Sequence, residues 1–276
     1  MKLKSIIVSA IVAAIVIFPF TNTFASLKGG NAVKETRNVS EFTGIELICS
    51  ADLFITQGNT QKVVVEADEE LMSHLYTEVE NGTLKVYIKK YHKSIRVAKV
   101  YVTVPNLEQV SLVGSGDMTF TDVFKTNDFK IKIVGSGDLI APLDAKNVEV
   151  SIAGSGDVKL SGVKGDFEIG VSGSGDTYAK DLKLNNCDLS VAGSGDVVLE
   201  GSASKLVVSI AGSGDIEGES FKAVDVQAKI AGSGDVNVTA VESLSGSIVG
   251  SGNLYYYGNP SKATVNTIGS GRTVQK

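Results

Sequence analysis

The sequence predicts an all-β fold, a parallel β-solenoid (β-helix-like) of about nine rungs of 19 or 20 residues behind an N-terminal β-rich capping section. Three observations predict it. Gly-Ser-Gly begins at Gly114, Gly135, Gly154, Gly173, Gly193, Gly212, Gly232, Gly250 and Gly269, at intervals of 21, 19, 19, 20, 19, 20, 18 and 19 residues, which marks one supersecondary unit repeated. Around each triplet apolar and polar residues alternate, the period of a strand with one buried face. Composition agrees, with 30 Gly, 4 Pro and no Trp among many Val, Ile and Thr.

The chain opens with Lys2 and Lys4, an apolar run from Ile6 to Phe20 and a polar stretch ending in Ala25. This is the pattern of a secretory signal peptide over residues 1–25. The run is too short for a membrane span, so the mature chain is expected to begin near Ser26 with no transmembrane segment. No cysteine near that point offers a site for a lipid tether. Loss of Lys2 and Lys4 takes the formal charge from -5 to -7, which excludes nucleic acid as a partner, since phosphate binding needs a basic face. Cys49 and Cys187 are too few for a disulfide framework, and the sequence leaves open whether they pair.

Residues 26–106 show no visible repeat but read as strands: Ile45-Glu-Leu-Ile, Asp52-Leu-Phe-Ile, Val63-Val-Val, Leu84-Lys-Val-Tyr-Ile and Val97 to Val104. Asn81-Gly82 signals a hairpin. Asp68 to Leu75 is expected to be one short helix capped by Asp68. Lys85, Lys89, Lys90, Lys93, Arg96 and Lys99 read as a solvated face that blunts a sheet edge.

Residues 107–276 form the repeat section, and 26–276 are expected to be one continuous domain. Two residues before each triplet stands an inward column from Leu112 and Ile133 to Ile248 and Thr267; six before it, another from Phe129 and Val148 through Cys187 to Ala263. After the triplet, Met118, Leu139, Val158, Val197, Ile216, Val236 and Leu254 form a third. Each unit therefore holds two short strands, followed by a turn marked by Asp122, Asp144, Gly162, Asp181, Gly201 or Gly258. An antiparallel meander with each triplet at a hairpin tip also fits the count. Identical residues at identical positions favour stacking in parallel, and nine rungs at about 4.8 Å each give a rod on the order of 40 Å long.

These residues resemble the head GIN domain family of auto-transporter adhesins, formerly a domain of unknown function. The resemblance is carried by Phe42-Thr-Gly-Ile45, Ile55-Thr-Gln-Gly58, Val63-Val-Val-Glu-Ala67, Asn81-Gly-Thr-Leu84, Val104-Pro105-Asn-Leu107, the Gly-Ser-Gly-Asp repeats and Leu254-Tyr-Tyr-Tyr-Gly258. It implies a β-helix-like fold and an exported location in a bacterial cell envelope, and it brings no catalytic residues. Unlike a true autotransporter, the chain shows nothing after Arg272 that resembles a membrane-barrel segment.

Seven triplets continue with Asp: Asp117, Asp138, Asp157, Asp176, Asp196, Asp215 and Asp235. By parity this column lies outside, where stacked carboxylates about 4.8 Å apart repel by about 0.9 kcal/mol per neighbour even in water. The expectation is that each Asp bonds its own turn's backbone amides. Calcium is the alternative occupant, although calcium β-rolls repeat every nine residues. A phosphate cradle is excluded because a strand, not a helix N-terminus, follows each triplet. Tyr255 and Tyr257 point outward and are candidates to stack on a ligand, the other reading being an end cap for the rod.

Catalysis finds little support. The two histidines, His74 and His92, lack metal-ligand spacing, and an identical Asp in seven rungs looks architectural. The expected function is an exported, non-catalytic adhesin-like binding or structural module of the cell envelope. Its expected partner is a glycan or a surface protein, with no cofactor, and its location is periplasmic, outer-surface associated or secreted. The alternative is a β-helix carbohydrate-active enzyme, a polysaccharide lyase or hydrolase.

Overall fold

The computed structural model describes residues 32–276; the expected signal peptide and mature start lie outside the described residues. Alternating burial turns the two walls of each rung into strands, and parallel pairing stacks them. Phe124–Gly135 pairs with Leu139–Gly154 in parallel, Phe129 beside Val148, Ile133 beside Ile152 and Gly135 beside Gly154. The same register continues to the last rung, where Ile248 lies beside Thr267 and Gly250 beside Gly269. The solenoid, not the meander, is the fold.

One wall of a rung runs into Gly-Ser-Gly and the other runs out of it. The two walls meet again at a corner where the register shifts, between Ala179 and Leu182 in one rung and between Val198 and Gly201 in the next. Positive φ at Gly162, Asp181 and Gly201 makes that corner, as the turn residues predict. Between the walls lies the core. Ile133, Ile152, Ile210 and Ile230 fill one buried column, and Phe129, Val148, Phe167, Cys187 and Leu206 another. Ala263 and Thr267, expected in these columns, are exposed, because no described strand stacks beyond them.

The first rungs are not in sequence order. The strands β1 (Ala32–Arg37), β2 (Gly44–Ile48), β3 (Asp52–Gln57) and β4 (Lys62–Asp68) lead to a short helix α1 (Glu69–Met72). After it come β5 (Leu75–Glu80), β6 (Thr83–Ile88), β7 (Ala98–Val104), β8 (Gln109–Gly114) and β9 (Met118–Phe120). The β2–β3 rung is sandwiched: it pairs in parallel with β8–β9 on one side and with β6–β7 on the other. Beyond β6 and β7 the antiparallel strands β5, β4 and β1 close that end, so the regular ladder has no bare edge there.

Asn81 (φ 50°) and Gly82 (φ 74°) turn the β5–β6 hairpin, as expected from their type I′ preference. The helix is shorter than expected, and Asp68 does not cap it. Its carboxylate turns away to accept the amides of Arg96 and Val97 and the Arg96 guanidinium. The Arg96 amide first among these holds the carboxyl below the usual carboxylate range. Asp68 therefore ties down the loop before β7, a tertiary bond that outcompetes the local cap.

Candidate binding face

Side chains that alternate with the core columns stand in outward rows along the rod. On the wall leaving Gly-Ser-Gly, register places Thr119, Ile140, Lys159, Tyr178, Val198, Glu217, Asn237 and Tyr255 in one row. Pro142, Ser161 and Lys180 stand in the row beside it. Ile140 is 46% and Tyr178 43% exposed, and the Lys159 ammonium lies 5.7 Å from the Tyr178 ring centre. Two large apolar side chains exposed on one row, with Lys159 between them, need a reason.

Between these two rows runs a groove of about 660 Å³ lined by Ile140, Pro142, Lys159, Tyr178, Lys180, Val198 and Glu200, with Leu160 and Ala179 below. It continues past Val198 and Glu200 into a second hollow of about 370 Å³ with Glu217, Glu219 and Asn237. Of the tyrosines singled out from the sequence, Tyr255 extends the first row beside Asn237, and Tyr257 stands beside Thr239. The Lys276 ammonium stands 4.7 Å from the Tyr255 ring centre. Tyr256 packs against the core instead. Sequence reasoning missed Ile140 and Tyr178; the signal was present, since both break an outward row that is otherwise mostly polar.

Two further grooves follow the opposite corner. The larger, of about 840 Å³, is lined by Glu108, Gln109, Lys125, Asp128 and Lys130, and it shares Asp128 and Lys130 with the next one. Here runs a second ladder. Asn147 donates its side-chain amide to Asp128 (2.7 Å), Asp166 its backbone amide to Asn147 (3.0 Å), and Asn186 its side-chain amide to Asp166 (2.8 Å). These polar groups are engaged with one another along the rod.

The Asp column is outside, as parity requires, but its bonding differs from the expectation. Each carboxylate accepts the backbone amide of the next rung's residue, not of its own turn. Asp138 N–H meets Asp117 Oδ1 at 2.9 Å, and the chain of bonds continues through Asp157, Asp176, Asp196, Asp215 and Asp235 at 2.7–2.9 Å. Asn253 ends it by donating both its backbone and side-chain amides to Asp235 Oδ1. The reason is geometric: parallel stacking puts the next amide directly over each carboxylate, and a charged acceptor makes the stronger bond. Among the described residues no three His, Cys, Asp or Glu side chains converge to hold a metal ion.

Both cysteines are free thiols. Burial pushes the Cys187 thiol far up, and burial also raises that of Cys49, so neither has the lowered pKa of a reactive thiol. His74 bonds the Lys89 carbonyl at 3.1 Å and leans on Tyr91. Within the basic set, Lys85 pairs with Glu80 and Lys93 with Glu70, each at 2.6 Å.

Comparison with known structures finds the same fold. A crystal structure described as a "Putative lipid binding protein" from Parabacteroides distasonis ATCC 8503 is 28% identical, with a TM-score of 0.68 over 90% of this chain and 97% of that one. A "putative adhesin" from the same strain is 18% identical with a TM-score of 0.70, over 90% and 98% of the two chains. A "putative adhesin" from Parabacteroides merdae ATCC 43184 is 22% identical with a TM-score of 0.67, over 90% and 97%. Among curated proteins none matches the chain in sequence. The family model described as "Putative auto-transporter adhesin, head GIN domain" matches residues 41–198 and 188–260; the chain belongs to the head GIN domain family.

Proposed function

We propose that this protein is an exported, non-catalytic adhesin-like module that binds surface molecules of the cell envelope through the wall carrying Ile140 and Tyr178. The observation that carries this reading is that Ile140 and Tyr178, both large and exposed, line one groove along the outward wall. A regular solenoid supports its rows on rigid paired strands, so a ligand meets side chains that are already ordered and little entropy is lost on binding. The family and its structural neighbours, described as adhesins and in one case as lipid binding, support a binding module. The signal-peptide pattern of residues 1–25 supports export. No helix among the described residues is long and apolar enough to cross a membrane.

The non-catalytic part of the reading is supported by the Asp column. Carboxylates that would serve a lyase or hydrolase need to converge on one substrate bond; these are spread over seven rungs and each is engaged with the next amide. The test is to incubate the full chain, purified after export, with bacterial and host polysaccharides, and to score both retention and newly formed chain ends. Retention without new ends is expected. New chain ends made by the protein would overturn the reading in favour of a β-helix carbohydrate-active enzyme.

A further inference from the structure

We propose that the groove between Ile140 and Asn237 takes a neutral, linear polysaccharide lying along the rod axis. This names the ligand class of the face described above and rests on that reading.

Length comes first. From Ile140 to Asn237 the row advances five rungs, about 24 Å at about 4.8 Å per rung, and the two hollows join through Val198 and Glu200. A long, shallow channel fits an extended chain better than a compact ligand. The wall also restricts the kind of chain. Its backbone amides and carbonyls are turned along the axis to neighbouring rungs, so the groove offers side chains only. An extended peptide is captured chiefly by backbone pairing at a free sheet edge, and among the described residues no such edge faces this groove.

Charge narrows the class further. Lys159 and Lys180 stand at one end, and Glu200, Glu217 and Glu219 at the other. A polyanion spanning the channel meets the glutamates, and a polycation meets the lysines. Hydroxyl groups suit both ends, since they accept from ammonium groups and donate to carboxylates. Tyr178, between Lys159 and the glutamates, and Ile140, on the far side of Lys159, offer flat and apolar surface, the complement of the C–H face of a pyranose ring.

The test is native gel electrophoresis of the full chain through gels carrying barley mixed-linkage β-glucan, galactomannan, xylan or polygalacturonate, beside binding to fixed bacterial cells. Wild type, Tyr178→Ala and Tyr178→Phe are compared after unfolding curves confirm equal stability, as expected for an exposed site. Retardation by at least one neutral polymer is expected, weakened about tenfold by Tyr178→Ala and kept by Tyr178→Phe. Retardation only by polygalacturonate would overturn the neutral ligand, and retardation by none of the polymers would overturn the polysaccharide altogether. If cell binding still fell with Tyr178→Ala in that case, the face would stand with another ligand. Cell binding untouched by Tyr178→Ala would overturn both the ligand and the face.

Discussion

The turn at Cys49-Ser50-Ala51-Asp52 and the Gly-Ser-Gly-Asp turns occupy the same place in the rung. Register sets Leu47 beside Leu112 and Leu53 beside Met118, which puts Cys49 under Gly114, Ala51 under Gly116 and Asp52 beside Asp117. One turn carries side chains where the nine others carry two glycines. The difference lies in what each turn stacks on. A Cβ at Gly173, where φ is +136°, would sit 2.1 Å from the Gly154 carbonyl oxygen, and one at Gly175 would sit 2.2 Å from that of Gly156. On the corresponding side of Cys49 and Ala51, the chain between β6 and β7 leaves the ladder as a loop. No identical turn stacks there, so side chains fit. The first glycine of each triplet is thus required both by its positive φ, which Cys49 does not adopt, and by the neighbouring rung, and the second by the neighbouring rung.

The strongest way to break this comparison is to exchange the residues. Gly175→Ala, at the place that Ala51 holds in the other turn, drives a methyl to 2.2 Å from the Gly156 carbonyl oxygen and is expected to cost about 3 kcal/mol. Ala51→Gly loses a buried methyl and adds chain entropy, at about 1 kcal/mol. Urea unfolding of both variants measures the gap. A gain of stability from Ala51→Gly would mean that the turn demands glycine by itself.

The same comparison shows what was legible in the sequence. Nine identical triplets announce a solenoid, because stacked glycines must be identical for one reason repeated. The β2–β3 rung carries the same inward pattern, Ile45, Leu47, Leu53 and Ile55, but lacks the glycines, so it does not announce itself. Its pairing with β6–β7, strands that follow it in the chain yet stack on its outer side, has no local signal at all. The Asp column was legible as an outward row. Its bonds were not, because they run between rungs and depend on parallel register, whereas sequence neighbours suggest bonds within a turn.

The column and the Asp128 ladder differ in how they relieve repulsion, and this makes the second prediction. One uses the next rung's backbone amide over every carboxylate; the other alternates Asp with Asn. Asp176→Ala removes the acceptor that Asp196 N–H reaches at 2.8 Å and is expected to cost about 1–2 kcal/mol. Asp176→Asn keeps an oxygen acceptor and removes one charge from the row, so its loss should stay below about 0.5 kcal/mol at low salt. Equal losses for the two variants would show that charge, not the inter-rung bond, holds the column.

Thr177 sharpens the comparison from inside. It stands in the buried column with Val158 and Val197, fully buried, and its hydroxyl has no hydrogen-bond partner. Every other buried member of that column is apolar, so the rung gains nothing from this oxygen. Thr177→Val, of the same shape, is expected to stabilise the protein by about 1 kcal/mol. A loss of stability on thermal unfolding would mean that the hydroxyl has a role in the rod.

The smallest effect is expected from calcium. Calcium needs six to eight oxygens drawn around one centre, whereas Asp117 to Asp235 are strung along the rod with one oxygen of each held by an amide. To collect three of them, an ion would have to pull carboxylates off successive rungs and leave those amides without their charged acceptors, at about 1–2 kcal/mol each. Millimolar calcium should therefore leave the melting temperature unchanged. A rise of several degrees, reversed by chelator, would show that the column trades its inter-rung bonds for metal, and the Asp176→Asn variant should then lose that rise.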